Sequence, residues 1–210
     1  MINKALKAEF FGTLFLVLLG SVTALQTGGV IYAALGFGGT LAVMAYIFGG
    51  HFNPAVSIGM FVSKRIDKKE LVQYIVAQAL GALVAAFFLA LMYGFDANIA
   101  ANTVSNVVPG EGFVQLLIGL VIEAILTFVF VLNILNITKS KENAMVAPFV
   151  IGFGLFTLIL VGGTLTGTSV NPVRSLAPAL FQTAALKEVW VYILGPSIGG
   201  LLAGLFFNKQ

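Results

Sequence analysis

The sequence has no cysteine and a single histidine, His51. Without thiols there is no disulfide framework, no thiolate nucleophile and no cysteine-ligated zinc. One histidine cannot build a histidine-rich metal centre, so neither a metal nor a cofactor is expected. Charge is also scarce. Asp, Glu, Lys and Arg make up 9% of the 210 residues, whereas a soluble domain carries about 25%. Disorder is excluded as well, because disordered chains need low hydrophobicity and high charge. The balance is basic, with a net charge of +3 and pI about 9.2. Eleven cations dispersed over the chain nevertheless form no nucleic-acid footprint. What the chain does have is apolar residues, 59% of the total, and a mean hydropathy of +1.04. The class is an integral membrane protein.

Residues 1–7, with two lysines ahead of an apolar run, resemble the start of a signal peptide. The charge-free run that follows, residues 10–63, is 54 residues long, far beyond a signal core of about 7–15. A spanning helix needs about 20 apolar residues, so this run holds two spans, with a turn at 26–29 and a surplus at 49–63. Residues 71–95 form a third span, and 113–136, interrupted by Glu123, a fourth. The 31 uncharged residues at 143–173 exceed one span but fall short of two. Residues 189–207 form the last, giving six spans and two leftover apolar segments.

Six spans put nine of the eleven cations on one side: Lys4, Lys7, Lys64, Arg65, Lys68, Lys69, Lys139, Lys141 and Lys209. By the positive-inside rule that side is the cytoplasm. The expectation is a multi-pass protein of the cell inner (plasma) membrane with both termini cytoplasmic. Asp96, Glu111, Lys187 and Glu188 fall in the outer loops.

The chain also repeats itself. Asn53-Pro54 recurs as Asn171-Pro172, an offset of 118 that also relates Ser57 to Ser175, Tyr74 to Tyr192, Gly81 to Gly199 and Leu83 to Leu201. Glu9 recurs as Glu123 at an offset of 114. Three spans per half is an odd number, so the second half (about 113–210) must insert inverted relative to the first (about 1–95), within one transmembrane domain spanning 1–210. Inverted repeats place their site at the bilayer midplane. In each leftover segment Asn is a favoured helix N-cap and Pro a favoured first helical residue. Each segment therefore reads as extended backbone followed by a short half-helix, capped at Asn53-Pro54 and Asn171-Pro172. Their positive N-terminal ends would meet near the centre. Non-helical backbone at that depth must be buried in protein or line a water-filled cavity.

Arg174 is the one charge in residues 143–186. An intramembrane arginine is costly and marks a pathway or cavity. Glu9 and Glu123 read either as acceptors for unpaired backbone N–H groups of the re-entrant segments or as a proton relay. Gly81, Gly199, Gly200 and Gly204 fit close helix packing. Trp190, Tyr192 and Tyr74 read as interfacial anchors, Tyr192 alternatively as a substrate contact. His51 reads as a structural or vestibule residue.

The two Asn-Pro-(Ala/Val) boxes, the Ala8-Glu9-Phe10 helix and the inverted halves together resemble the aquaporin family over essentially the whole chain. The resemblance implies an all-α fold of six transmembrane helices plus two re-entrant half-helices, assembled as a homotetramer with a pore in each protomer. It implies Asn53 and Asn171 at the pore midplane. It also implies a selectivity constriction of Phe37, Ile159, Thr168 and Arg174. Phe37 and Thr168 resemble the water-selective type, whereas Ile159 stands where those members usually carry His, making the constriction more apolar. Ser175, Ala179 and Tyr192 lean to water, and Ile193 to glycerol. The linker from Tyr46-Ile47-Phe48 to Gly49-Gly50 is shorter than the family's usual one. The implied function is a passive water channel that excludes protons and ions, with leakage of small neutral solutes. The alternatives are a facilitator of glycerol, peroxide, ammonia or urea and, more remotely, an ion-coupled transporter. Enzymatic chemistry has no acid–base pair to work with.

Overall fold

The computed structural model describes residues 3–26, 29–95 and 97–209. Thr27 and Gly28 of the expected turn, and Asp96 of the outer loop, lie outside them. The elements are α1 (Lys4–Ala24), α2 (Val30–Phe48), α3 (Pro54–Val62), α4 (Lys68–Tyr93), α5 (Gly112–Ile137), α6 (Ala147–Gly162), α7 (Pro172–Ala179) and α8 (Thr183–Phe207). Each half of the chain contributes two longer helices, one half-helix and a third longer helix.

Five helices, α1, α2, α4, α5 and α8, are long and apolar enough to cross a membrane. The sixth, α6, has 16 residues and reaches about 24 Å. Helical hydrogen bonding continues past its end, from Thr166 N to Gly162 O and from Gly167 N to Gly163 O, which lengthens it at its C-terminal end. The half-helices have nine and eight residues, about half the depth of a hydrocarbon core.

The boundaries follow from local chemistry. Pro54 and Pro172 each occupy the first turn of their half-helix. Asp67 and Glu70 form a reciprocal capping box at the start of α4. Helix α2 runs to Phe48 and stops at Gly49, whose left-handed φ of 64° suits a residue without Cβ; the short linker therefore starts with a helix cap. Helix α8 begins at Thr183, earlier than the charge-free run at 189–207. Lys187 and Glu188 thus belong to a helix and not to a loop, because a helix can project beyond the apolar layer without ceasing to be helical.

Close backbone approach holds the bundle together, and it is duplicated. A Cβ on Gly81 would collide with the carbonyl of Phe10, joining α4 to α1; one on Gly199 would collide with that of Ala124, joining α8 to α5. Across the halves, Cβ atoms on Gly38 and Gly152 would each strike the other's carbonyl, at 2.7 and 2.5 Å. Gly200 faces the Ala55 carbonyl at the start of α3. Backbone cannot rotate away as a side chain can, so Gly200→Ala is expected to destabilise the protein by about 1–3 kcal/mol. A thermal melt in detergent checks this, and an unchanged midpoint would show that α3 shifts freely.

Tyr192 departs from the sequence expectation of an interfacial anchor. It is fully buried, and its hydroxyl donates to Thr166 O at 3.0 Å. Hydropathy locates a tyrosine along the membrane normal but not around the helix, and this face of α8 points inward. Trp190 is half-buried and stacks on Phe113. Tyr74, also half-buried, packs edge-on against His51.

Candidate functional site

Both segments that precede the half-helices reverse direction on residues with left-handed backbone: Phe52 (φ 56°) in the first, Thr168 (φ 44°) and Val170 (φ 45°) in the second. Such values are strained for residues with a Cβ and persist only where the surroundings enforce them. A buried carboxylate does so in each case. Glu9, 1% exposed, accepts from His51 N and Phe52 N, both at 2.7 Å, and from Gln78 Nε2 at 2.8 Å. Glu123, fully buried, accepts from Ser169 N and Val170 N, both at 2.9 Å, and from the Thr166 hydroxyl at 2.7 Å. Every oxygen of both carboxylates is thereby engaged.

The asparagines divide their side chains between two tasks. The Oδ1 atoms cap their own half-helices, accepting from Ala55 N at 2.8 Å and from Arg174 N at 3.3 Å. The Nδ2 atoms cross to the other segment: Asn53 donates to Val170 O at 2.7 Å and Asn171 to Phe52 O at 2.9 Å. The two half-helix N-termini are therefore tied end to end. An amide has two N–H donors, so this exchange leaves one on each asparagine.

Asn53 and Asn171 line a cavity of about 420 Å³ together with Phe37, Ile159, Thr168 and Arg174. That cavity runs from the loop residues Thr138, Ser140 and Lys141, past His51, to Arg174. A second cavity of about 690 Å³, lined by residues of the 94–111 loop and Glu188, shares Phe37, Ile159 and Arg174 with the first. These three residues therefore lie where the two cavities adjoin. Arg174 lies over the Phe37 ring, 4.7 Å from its centroid, and Nη1 donates to Asn102 Oδ1. Thr168 Oγ1 donates to Leu158 O at 3.3 Å, next to Ile159.

Pro54 and Pro172 are buried at the starts of their half-helices. His51 places Nδ1 3.0 Å from Ser57 Oγ, which also receives Gln78 Nε2 at 3.0 Å. Sequence reasoning misses three residues of this site. Gln78 has a readable signal, an amide in the middle of an apolar span. Thr166 and Asn102 have none, since each acts through contacts distant in the chain. Among the described residues no group of three or more His, Cys, Asp or Glu side chains is placed to hold a metal.

Fold and site together define a multi-pass helical membrane protein with two adjoining cavities, the first mostly apolar in lining and polar where Asn53, Asn171 and Arg174 face it. A profile of the major intrinsic protein family matches residues 1–207. The chain belongs to that family. It is 42% identical over 225 residues to aquaporin Z of Brucella melitensis, covering 99% of this chain and 97% of that protein. It is also 42% identical over 209 residues to the glycerol uptake facilitator protein-like 6 of Lactiplantibacillus plantarum, covering 93% of each. The aquaglyceroporin of Plasmodium falciparum has the same fold, with a TM-score of 0.85 over 98% of this chain and 95% of that one at 24% identity.

Proposed function

We propose that the protein is a passive water channel that excludes protons and ions. The observation that carries the reading is the reciprocal asparagine exchange, which leaves one N–H donor on each side chain beside the cavity. A water at that point accepts from Asn53 and Asn171, so its own hydrogens turn toward the two ends of the pore. Water molecules on either side are then oriented in opposite senses, and no continuous donor–acceptor chain can relay a proton. The positive ends of α3 and α7 raise the cost of a cation at the same point. Arg174 adds a full charge where the two cavities adjoin. The resemblance to a protein named aquaporin Z supports water as the permeant.

Ile159 favours a second reading, in which small neutral solutes such as glycerol, urea, ammonia or peroxide also pass. An aliphatic wall opposite Arg174 offers apolar contact to a carbon backbone, and one relative carries a glycerol-facilitator name. Glu9 and Glu123 act as structural acceptors in this proposal, which argues against a transporter's proton relay and leaves nothing for catalysis. Phe37, Thr168, Ile159 and Arg174 form the selectivity constriction. The wider proposal is a single channel domain of two inverted halves (about 1–95 and 113–210), assembled as a homotetramer in the plasma membrane. The nine cations on one side support cytoplasmic termini.

Stopped-flow light scattering on proteoliposomes tests the reading. The expected result is rapid shrinkage in an impermeant osmolyte, slow re-swelling in glycerol and no dissipation of a pH gradient. Rapid re-swelling would make the protein a solute facilitator. Shrinkage no faster than that of empty vesicles would sink the open-channel reading.

A further inference from the structure

We infer that Asn102, in the outer loop at 94–111, positions Arg174 in the constriction and fixes the guanidinium without neutralising it. The inference rests on the channel reading above and adds to it a residue that governs solute and charge selectivity. Asn102 lies 72 residues before Arg174 in the chain and belongs to no helix, yet it is only 5% exposed. Its Oδ1 accepts from Arg174 Nη1 and from Ser175 Oγ, the latter at 2.7 Å. Its Nδ2 donates to Thr166 O at 3.3 Å and packs against Gly167, where an added Cβ would come within 2.5 Å of it.

The loop that presents this amide is itself tied down. Val104 N donates to Glu188 Oε2 at 2.8 Å, Ser105 N to Leu165 O at 2.8 Å, and Ala101 N to Gln182 Oε1 at 3.3 Å. The Gln115 amide donates to Ser105 O and Val108 O. A loop whose described residues form no helix or strand thus becomes a fixed bracket, and Asn102 is where it meets Arg174.

An amide suits this task for two reasons. Its oxygen accepts the two donors offered by α7, while its nitrogen supplies the donor that the Thr166 carbonyl needs. An aspartate would accept from Arg174 and Ser175 equally well, but it would cancel the arginine's charge and turn an oxygen toward that carbonyl. An alanine would leave the guanidinium resting on the Phe37 ring alone, beside the second cavity of about 690 Å³ into which a long side chain can swing.

The two substitutions therefore separate position from charge. In proteoliposomes, Asn102→Ala is expected to raise glycerol permeability about tenfold relative to water permeability, the barrier equivalent of one lost hydrogen bond to a charged group, with protons still excluded. Asn102→Asp is expected to do the reverse: glycerol stays excluded because Arg174 stays in place, while a pH gradient dissipates because the charge is cancelled. A merely structural role for Asn102 would lower water flux and thermal stability in both variants without this crossed pattern. Wild-type glycerol and proton permeability in both variants would overturn the inference, as would failure of both to reconstitute. If only one inserts, its own readout decides. Wild-type vesicles measured in parallel keep this separate from the channel reading, which stands or falls on their water flux.

Discussion

Glu123→Ala is expected to abolish water flux and to lower the thermal midpoint in detergent more than Gly200→Ala or any substitution at the constriction. The carboxylate engages three buried donors, Ser169 N, Val170 N and the Thr166 hydroxyl, and alanine satisfies none of them. Each orphaned donor costs about 1–3 kcal/mol, and all three belong to residues buried in protein, away from bulk water. The loss falls on a segment already strained at Thr168 and Val170, so the backbone relaxes and the Val170 carbonyl leaves Asn53. Glu123→Gln retains one acceptor oxygen and is expected to be intermediate. Glu9→Ala orphans two backbone donors of the first segment, His51 N and Phe52 N, while Gln78 Nε2 keeps Ser57 Oγ, and is expected to have the same effect to a smaller degree. A Glu123→Ala protein with wild-type melting and wild-type flux would remove the carboxylate from the mechanism.

The second large effect is expected at Arg174. In Arg174→Val the proposed constriction loses its one full charge and its longest polar side chain, leaving Phe37, Ile159 and valine where the two cavities adjoin. Glycerol permeability is expected to rise by about tenfold or more, in line with lost charge-assisted contacts of about 1.5–3 kcal/mol. A pH gradient is expected to decay faster than in wild type, since the half-helix ends then oppose cations alone. Stability should move the other way from that of Glu123→Ala. A charge buried within the membrane is expensive, and its removal leaves Asn102 still receiving the Ser175 hydroxyl. The expected melting temperature is therefore unchanged or higher. Leakage accompanied by a large drop in melting temperature would mean that Arg174 serves the fold and not selectivity.

Legibility in the sequence differs from feature to feature, for physical reasons. The half-helices are readable because their signal is local: Asn caps and Pro starts a helix within two residues of itself. The close contacts at Gly81 and Gly199 are readable because the offset of 118 marks them as a pair. The start of α8 is not, because charge-free windows report depth in the membrane, whereas the helix continues through Lys187 and Glu188. Tyr192 escapes a sequence reading because its position along the helix does not fix its direction around it. Phe37, Ile159, Thr168 and Arg174 can be grouped from the sequence by resemblance alone. Their proximity depends on α2, α6 and the second re-entrant segment converging, which no spacing expresses.

The amino-acid sequence by itself determined that this chain lives in a membrane and how many times it crosses, because hydrophobic length acts segment by segment. It also determined that two half-helices exist and are related, because their caps are local and their offset is regular. Only the tertiary structure decided what the asparagines do with their amides. Asn53 reaches Val170 across 117 residues and Asn171 reaches Phe52 across 119. It likewise decided that Arg174 meets Asn102. Those hydrogen bonds exist only once both halves are folded against each other, since a donor's partner is set by where the backbone brings an acceptor and not by any property of the donor's own sequence neighbours.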